Sequence, residues 1–294
     1  MEARNRRQDE SWKRRPSNDE GPDPEATIPL EENNAVGTIV VKIGGSTLGS
    51  HDTTLVDLVK LQREGINPVV VHGGGKIISD WMEKQGVRPR FVRGLRVTDE
   101  PSLDIVIAVL TGLINKTLVA SLVRLGARVM GISGADDGML QAEIKEPELG
   151  LVGRVVKVNP DPVKAVLDAG CIPVIAPVAI RVPTADDETG PSMLNINADT
   201  AAGEIASALG ADRLVFLTDV EGVLDTSRRL IPRLTERQAE GLIHSNVAAG
   251  GMVPKLEACL TALQSGSKTQ IVDGRKPLAL VEALSGKKLG TRIG

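Results

Sequence analysis

The sequence predicts an α/β fold in which a mainly parallel sheet is covered by helices. Three observations carry this. Short runs of β-branched and aliphatic residues alternate with longer helical patterns from Thr38 onward, the rhythm of βαβ units. Valine-rich runs such as Val69-Val70-Val71 are continuous rather than alternating, as in strands buried on both faces. Two of these runs lead straight into glycines, IVVKIGGS from Ile39 and VVVHGGGK from Val69. Glycines after a strand let the backbone approach a ligand, and the helix beyond them offers free N–H groups to an anion.

In chain order, strands are predicted at residues 39–43, 68–71, 128–132, 172–176, 213–218 and 268–272. Helices are predicted at about 52–64, 76–86, 102–125, 160–169, 199–210 and 252–265. A stretch rich in Pro, Asp, Thr and Gly at 180–192 reads as a hairpin or surface loop between two lobes. Residues 1–35 differ from the rest. A basic stretch around Arg4, Arg6, Arg7, Lys13, Arg14 and Arg15 precedes an acidic one at 19–32. Apolar residues are few there, which reads as a disordered charged tail.

The chain has 294 residues, enough for one large α/β domain or two lobes with a real core. A net charge of -3 and a pI near 5.8 give no electrostatic case for nucleic acid or an anionic membrane. Aromatic residues make up 1% and tyrosine is absent, so the core must be aliphatic and base-stacking platforms are not expected. No apolar run reads as long enough to span a bilayer, about 18–20 residues. The N-terminus lacks the apolar stretch of a secretory signal. Cys171 and Cys259 lie in apolar contexts and read as inert buried thiols. A cytoplasmic protein is expected.

Familiar glycine signatures fail in turn. Gly75-Lys76 is followed by Ile77, so no Walker A loop forms. Position 78 is isoleucine where a Rossmann fingerprint needs glycine. HGGG also occurs in lipase-like oxyanion holes, but no GxSxG elbow accompanies it. His51, His72 and His244 show no metal-ligand spacing, and no protein metal site is expected. What remains is a lysine constellation: Lys42 before Gly44-Gly45, Asp199 opening a helix in NINADTAAG, and Lys255 after a second Gly-Gly in AGGMVPKLEA. A transferring phosphoryl group mainly needs positioning and positive charge. Two lysines would supply the charge, and a carboxylate between them would hold both and reduce their repulsion. Magnesium would enter on the nucleotide phosphates, without a protein carboxylate cage. Taken singly, a strand lysine or a helix-opening Asp is usually structural; a buried lysine, though, needs a partner or a ligand.

From about residue 36 onward the chain resembles the amino acid kinase family. The segments that carry the resemblance are VVKIGGS, VVVHGGGK, RFVRGLRVTD, GLINKTLVASL, LGLVGRVVKVNP, GCIPVIAPV, LNINADTAAG, LVFLTDVEGVLD and GGMVPKLEACLTAL, in family order. GLRVTD with NINAD is the narrower signal, similar to the branch whose members phosphorylate N-acetyl-L-glutamate. The resemblance implies an open three-layer α/β/α sandwich of two lobes. Residues 36–182 would bind the amino acid and carry a dimer contact, and 183–294 would bind ATP. By motif, Lys42 and Lys255 match lysines that stabilise the transition state, and Asp199 the carboxylate that organises them. Gly74 and Gly75 match donors at the substrate γ-carboxylate, Arg96 and Asn195 the groups holding its α-carboxylate. Gly44, Gly45, Asp219, Val220, Gly222, Leu224 and Val247 match the ATP-binding segments. The first turn reads KIGGST where KYGGNA-type sequences are commoner, and GISGADDG carries an extra Asp-Asp. EENNAVG stands where arginine-inhibited members have an apolar helix, implying a homodimer insensitive to arginine rather than a hexameric ring. Two rival readings share the fold: a kinase for carrier-protein-linked aminoadipate or glutamate, and a non-catalytic anion-binding protein. The first tends to depart from NINADTAAG and GGMVPK, both kept here. The second should have lost one of Lys42, Asp199 or Lys255.

Overall fold

The computed structural model describes residues 37–44, 53–183, 191–245 and 247–294. The charged tail, Gly45, and residues 31–36, on which the arginine and hexamer reading depends, lie outside the described residues. The chain begins with β1 (Thr38–Ile43), α1 (Thr54–Arg63), β2 (Asn67–His72), α2 (Gly75–Lys84), and the short pair β3 (Phe91–Val92) and β4 (Leu95–Arg96). Next come α3 (Glu100–Ile107), a π-helical segment Ala108–Ile114, α4 (Asn115–Arg124) and β5 (Val129–Ser133). β6 (Leu140–Ile144), β7 (Gly153–Val158), α5 (Asp161–Asp168), β8 (Ile172–Ala176), β9 (Val178–Arg181) and β10 (Met193–Asn195) come after them. The remainder is α6 (Ala198–Leu209), β11 (Arg213–Thr218), β12 (Arg233–Leu234), α7 (Glu236–His244), α8 (Met252–Leu263), β13 (Lys268–Asp273), α9 (Ala279–Leu284) and β14 (Thr291–Ile293).

Eight strands form one sheet in the order β12-β14-β13-β11-β1-β2-β8-β5. Neighbours are parallel except β13 and β14. All six predicted strands belong to it. Its central members are buried almost throughout, which is why their sequences are nearly continuous apolar runs. Alternation divides the side chains between two cores. Ile39, Val41 and Ile43 pack with α1, α4 and α9 on one face, while Val40 packs with α6 and α8 on the other.

The second sheet, β10-β9-β6-β7, escapes the sequence analysis. Its strands are short, and β7 is largely exposed, so neither a continuous nor a cleanly alternating signal appears. β9 and β10 pair antiparallel and flank the predicted 180–192 hairpin, whose residues 184–190 lie outside the described ones. The helix predicted at 102–125 is α3 and α4 joined by the π-helical segment. Together Glu100–Arg124 span 25 residues with a mean hydropathy of 1.9 over their most apolar window. By length and composition that is enough to cross a membrane, contrary to the sequence expectation. The run carries Asp104 and Lys116, and Leu103, Val106, Leu110 and Leu122 are buried. That makes it a core-facing helix by packing.

Candidate active site

Strand β1 lies where the sheet changes direction. The chain continues to β2 on one side of it and reaches β11 on the other. At such a switch point the turns leaving neighbouring strands diverge and open a crevice beyond their carboxyl ends. Lys42 is the penultimate residue of β1 and, by alternation, faces the α6–α8 side.

Helices α6 and α8 supply the other charges because they pack unusually closely. A Cβ on Gly203 would sit 2.7 Å from the Ala258 carbonyl oxygen, so only glycine permits that approach. About one turn earlier on each helix stand Asp199 and Lys255, and the close packing brings them together. Lys255 Nζ donates to Asp199 Oδ2 at 3.0 Å and to the Gly251 carbonyl at 3.1 Å. Lys42 Nζ lies 2.8 Å from Asp199 Oδ1, an ion pair at hydrogen-bonding distance. Asp199 is only 5% exposed. Burial pushes its pKa up, but the charges of Lys42 and Lys255 outweigh that and hold it below the ordinary carboxylate range. The cluster therefore joins two lysines to one carboxylate; Lys42 and Asp199 line the crevice, and Lys255 is not among its lining residues.

Asp199 is not the helix cap that its sequence position suggested. Asn197 is: its side chain accepts from the Asp199 and Thr200 backbone N–H groups at 2.9 and 3.1 Å. That leaves the Asp199 carboxylate free for the lysines. A residue of the Ser, Thr, Asp or Asn type just before a helical run is the usual capping signal, and Asn197 had it.

A cleft of about 200 Å³ gathers Lys42, Asp199, Gly74, Gly75, Arg96 and Asn195. Gly74 precedes α2 with no side-chain cap, so the first-turn N–H groups stay available to an anion. Its Cβ would lie 2.5 Å from Ile114 Cδ1 and 3.0 Å from Leu110 Cδ2; the turn is pressed against the π-helical segment. Arg96, 8% exposed, donates through Nη2 to the Gly75 carbonyl at 2.7 Å and Ser79 Oγ at 2.9 Å, and its guanidinium stacks on the Phe91 ring at 4.8 Å. Burial draws its pKa down, but arginine stays charged in proteins. Asn195 Nδ2 donates to Thr98 Oγ1 at 3.1 Å. Apolar Ile78, Phe91, Leu110, Val152 and Pro177 complete the wall; the sequence analysis singled out none of them. Short β3 and β4 carry Phe91 and Arg96, and a two-residue strand leaves no periodic signal.

The sequence profile of the amino acid kinase family matches residues 37–273. The chain belongs to the amino acid kinase family. It is 44% identical over 255 residues to a protein of Dehalococcoides mccartyi named acetylglutamate kinase, covering 87% of this chain and 93% of that one. A Cereibacter sphaeroides protein of the same name is 42% identical over 271 residues, covering 90% of each. Among solved structures, smu.665 from Streptococcus mutans is similar with a TM-score of 0.72 and 29% identity, over 87% of this chain and 98% of that one.

Within this amino acid kinase fold the residues matched to ATP lie apart from the cleft. Gly44 comes directly after β1, where its N–H donates to the Leu217 carbonyl at 3.4 Å; Gly45 is not among the described residues. Asp219, Val220, Gly222 and Leu224 form the turn after β11, with Val220 and Leu224 each 38% exposed. Val247 lies between α7 and α8. These residues do not line the cleft that holds Arg96, but β1 and β11 are adjacent and parallel, so the turns after both leave the same sheet edge. Arg275 donates to both oxygens of Asp273 at 2.8 and 2.9 Å at the end of β13, beside that edge; the sequence analysis missed this pair.

Proposed function

We propose that this protein transfers the γ-phosphoryl group of ATP to the γ-carboxylate of N-acetyl-L-glutamate, a step of arginine biosynthesis. The acceptor oxygen attacks the γ-phosphorus, the bond to the β-phosphate oxygen breaks, and ADP leaves. The product is N-acetyl-L-glutamyl 5-phosphate. Relatives named acetylglutamate kinase, 42 and 44% identical over most of the chain, support the reading. The observation that carries it is Asp199 held between Lys42 and Lys255, with Lys42 and Asp199 lining the cleft that also holds Arg96, Asn195 and the Gly74-Gly75 turn.

The parts have complementary tasks. Arg96, held in place by Ser79 and Gly75, presents a cation to the α-carboxylate, beside Asn195. The apolar wall suits an acyl group, and a cavity of about 200 Å³ falls below the ~300–1,000 Å³ of drug-sized sites, which fits a small metabolite. Lys42 and Lys255 neutralise charge on the phosphoryl oxygens as it moves. Magnesium carried by the nucleotide phosphates supplies further neutralisation. Asp199, with an ammonium at each oxygen, is not free to ligate it.

The sheet supports a division at residues 182 and 183 into an amino-acid lobe and a nucleotide lobe: β1, β2, β8 and β5 lie together, and β11, β13, β14 and β12 lie together. A homodimer fits the edge strand β5, where Met130 is 46% exposed. An unpaired apolar edge invites a partner. We take the protein to be cytoplasmic.

The deciding experiment measures ADP release with N-acetylglutamate, glutamate, N-acetylaspartate and aminoadipate side by side. N-acetylglutamate should be the clear favourite; preference for aminoadipate or no turnover overturns the assignment. Sedimentation giving a hexamer, or inhibition by millimolar arginine, overturns the dimeric, arginine-insensitive state.

A further inference from the structure

Directly under the glycine turn lies a buried polar network that the chemistry above does not use. His72, the last residue of β2, is fully buried. Its Nδ1 is 3.2 Å from the Gly73 carbonyl oxygen, and its Nε2 is 3.3 Å from Asn115 Nδ2. Asn115, 1% exposed, gives one Nδ2 hydrogen to the Val174 carbonyl at 2.8 Å; the other is shared between His72 Nε2 and the Ile132 carbonyl, also at 3.3 Å. Lys116 Nζ donates to Asn115 Oδ1 at 3.0 Å and to the Gly131 carbonyl at 2.9 Å.

These contacts fix the hydrogens. Lys116 can only donate, so the Asn115 oxygen faces it and the Asn115 amide faces His72. Nε2 must then accept. Nδ1 must carry the proton, which it donates to the Gly73 carbonyl. Burial draws the His72 pKa down to about 4, so the ring is neutral and a single tautomer is defined. The consequence lies across the next bond. The Gly73 carbonyl and the Gly74 N–H belong to one planar trans peptide and point in opposite directions. Holding the oxygen on the buried side turns the Gly74 N–H toward the cleft, where Gly73, Gly74 and Lys42 form part of the wall.

The π-helical segment completes the device. Its i→i+5 bonding adds a residue to the turn, rotating α4 by about 100° relative to an uninterrupted α-helix. Asn115 begins α4 immediately after the segment and faces the sheet. Leu110 and Ile114, from within it, press on Gly74.

We propose that His72 is a positioning residue for phosphoryl transfer: held as the Nδ1–H tautomer by Asn115 and Lys116, it locks the Gly73–Gly74 peptide so that the Gly74 N–H meets the reacting oxygens. The catalytic part rests on the function proposed above; the tautomer does not. Two experiments test it. Long-range ¹H–¹⁵N NMR of the wild type should find His72 protonated at Nδ1, bare at Nε2, and neutral down to about pH 4. An Nε2–H ring overturns the proposal whatever the substrate. Steady-state kinetics with N-acetylglutamate should show His72→Phe lowering kcat about 10²-fold, as for a lost oxyanion donor, with little change in the KM for ATP. His72→Asn, which keeps an N–H, should recover part of the loss. Lys116→Met, at an exposed position that leaves the fold intact, should lower kcat about threefold or more. Wild-type kcat in Lys116→Met, or an equal loss in His72→Phe and His72→Asn, refutes it. A wild type inactive on N-acetylglutamate but with Nδ1–H confirmed refutes the function and not the lock.

Discussion

Two clusters of mixed charge stand close to the same cleft and differ in almost everything but size. At the Asp199 cluster two lysines flank one carboxylate, with side chains 7–12% exposed. At the β3–β4 turn one arginine, Arg93, meets two carboxylates, Glu146 and Glu148, with side chains 41–63% exposed. Water screens the second cluster, so it tethers the turn for at most about 1 kcal/mol. The first has given up its hydration and is weak evidence for stability on its own. Its surplus positive charge makes sense only when an anion completes it. Burial therefore separates a tether from a reaction centre, though both would look alike in a list of ion pairs.

The sharpest way to break this contrast is Asp199→Asn. With the carboxylate gone, two close ammonium groups remain in a partly dry site. kcat should fall about 10³-fold, and stability by about 3 kcal/mol as for a broken buried pair, read by steady-state kinetics and urea unfolding. Lys42→Ala and Lys255→Ala should each lower kcat about 10²-fold with smaller effects on KM; normal turnover in Lys255→Ala would remove that residue from the mechanism. Arg96→Ala should chiefly raise the KM for the amino acid, by about 10-fold or more, the share of a charge-assisted contact. At the surface cluster, Arg93→Ala should change kcat by less than about twofold and stability by under about 1 kcal/mol. A large loss of kcat there would dissolve the distinction.

pH offers a further test with a defined sign. Asp199 has a folded pKa below its unfolded value. Its contribution is fully present above the unfolded value of about 3.9 and fades as pH falls through the lower folded one. The stability gap between wild type and Asp199→Asn, measured by urea midpoints, should be constant from about pH 5 to 7 and shrink in stronger acid. A gap that widens on acidification would contradict the geometry.

The buried sheet was legible in sequence because burial on both faces leaves an unmixed apolar signature, as in Val69-Val70-Val71. The lysine cluster was legible because its members stand beside glycine turns and a capped helix. The closeness of α6 to α8 was not, because Gly203 reads as an ordinary mid-helix glycine until Ala258 is seen against it. The same holds for Asn115. Whether it faces the sheet depends on a π-helical step that helical periodicity alone does not reveal. The β3–β4 pair, which carries Phe91 and Arg96, is too short for either period.

The scarcity of rings has a practical side. Trp12 lies outside the described residues, tyrosine is absent, and the chain has a single other tryptophan, Trp81. It is 38% exposed on α2, with Lys84 Nζ 5.4 Å from its ring, on the helix that starts at the Gly74 turn and carries Ser79 to Arg96. Among the described residues, tryptophan emission thus reports from one helix, and that helix leads into the cleft. Filling of the cleft becomes an optical signal without any dye attached.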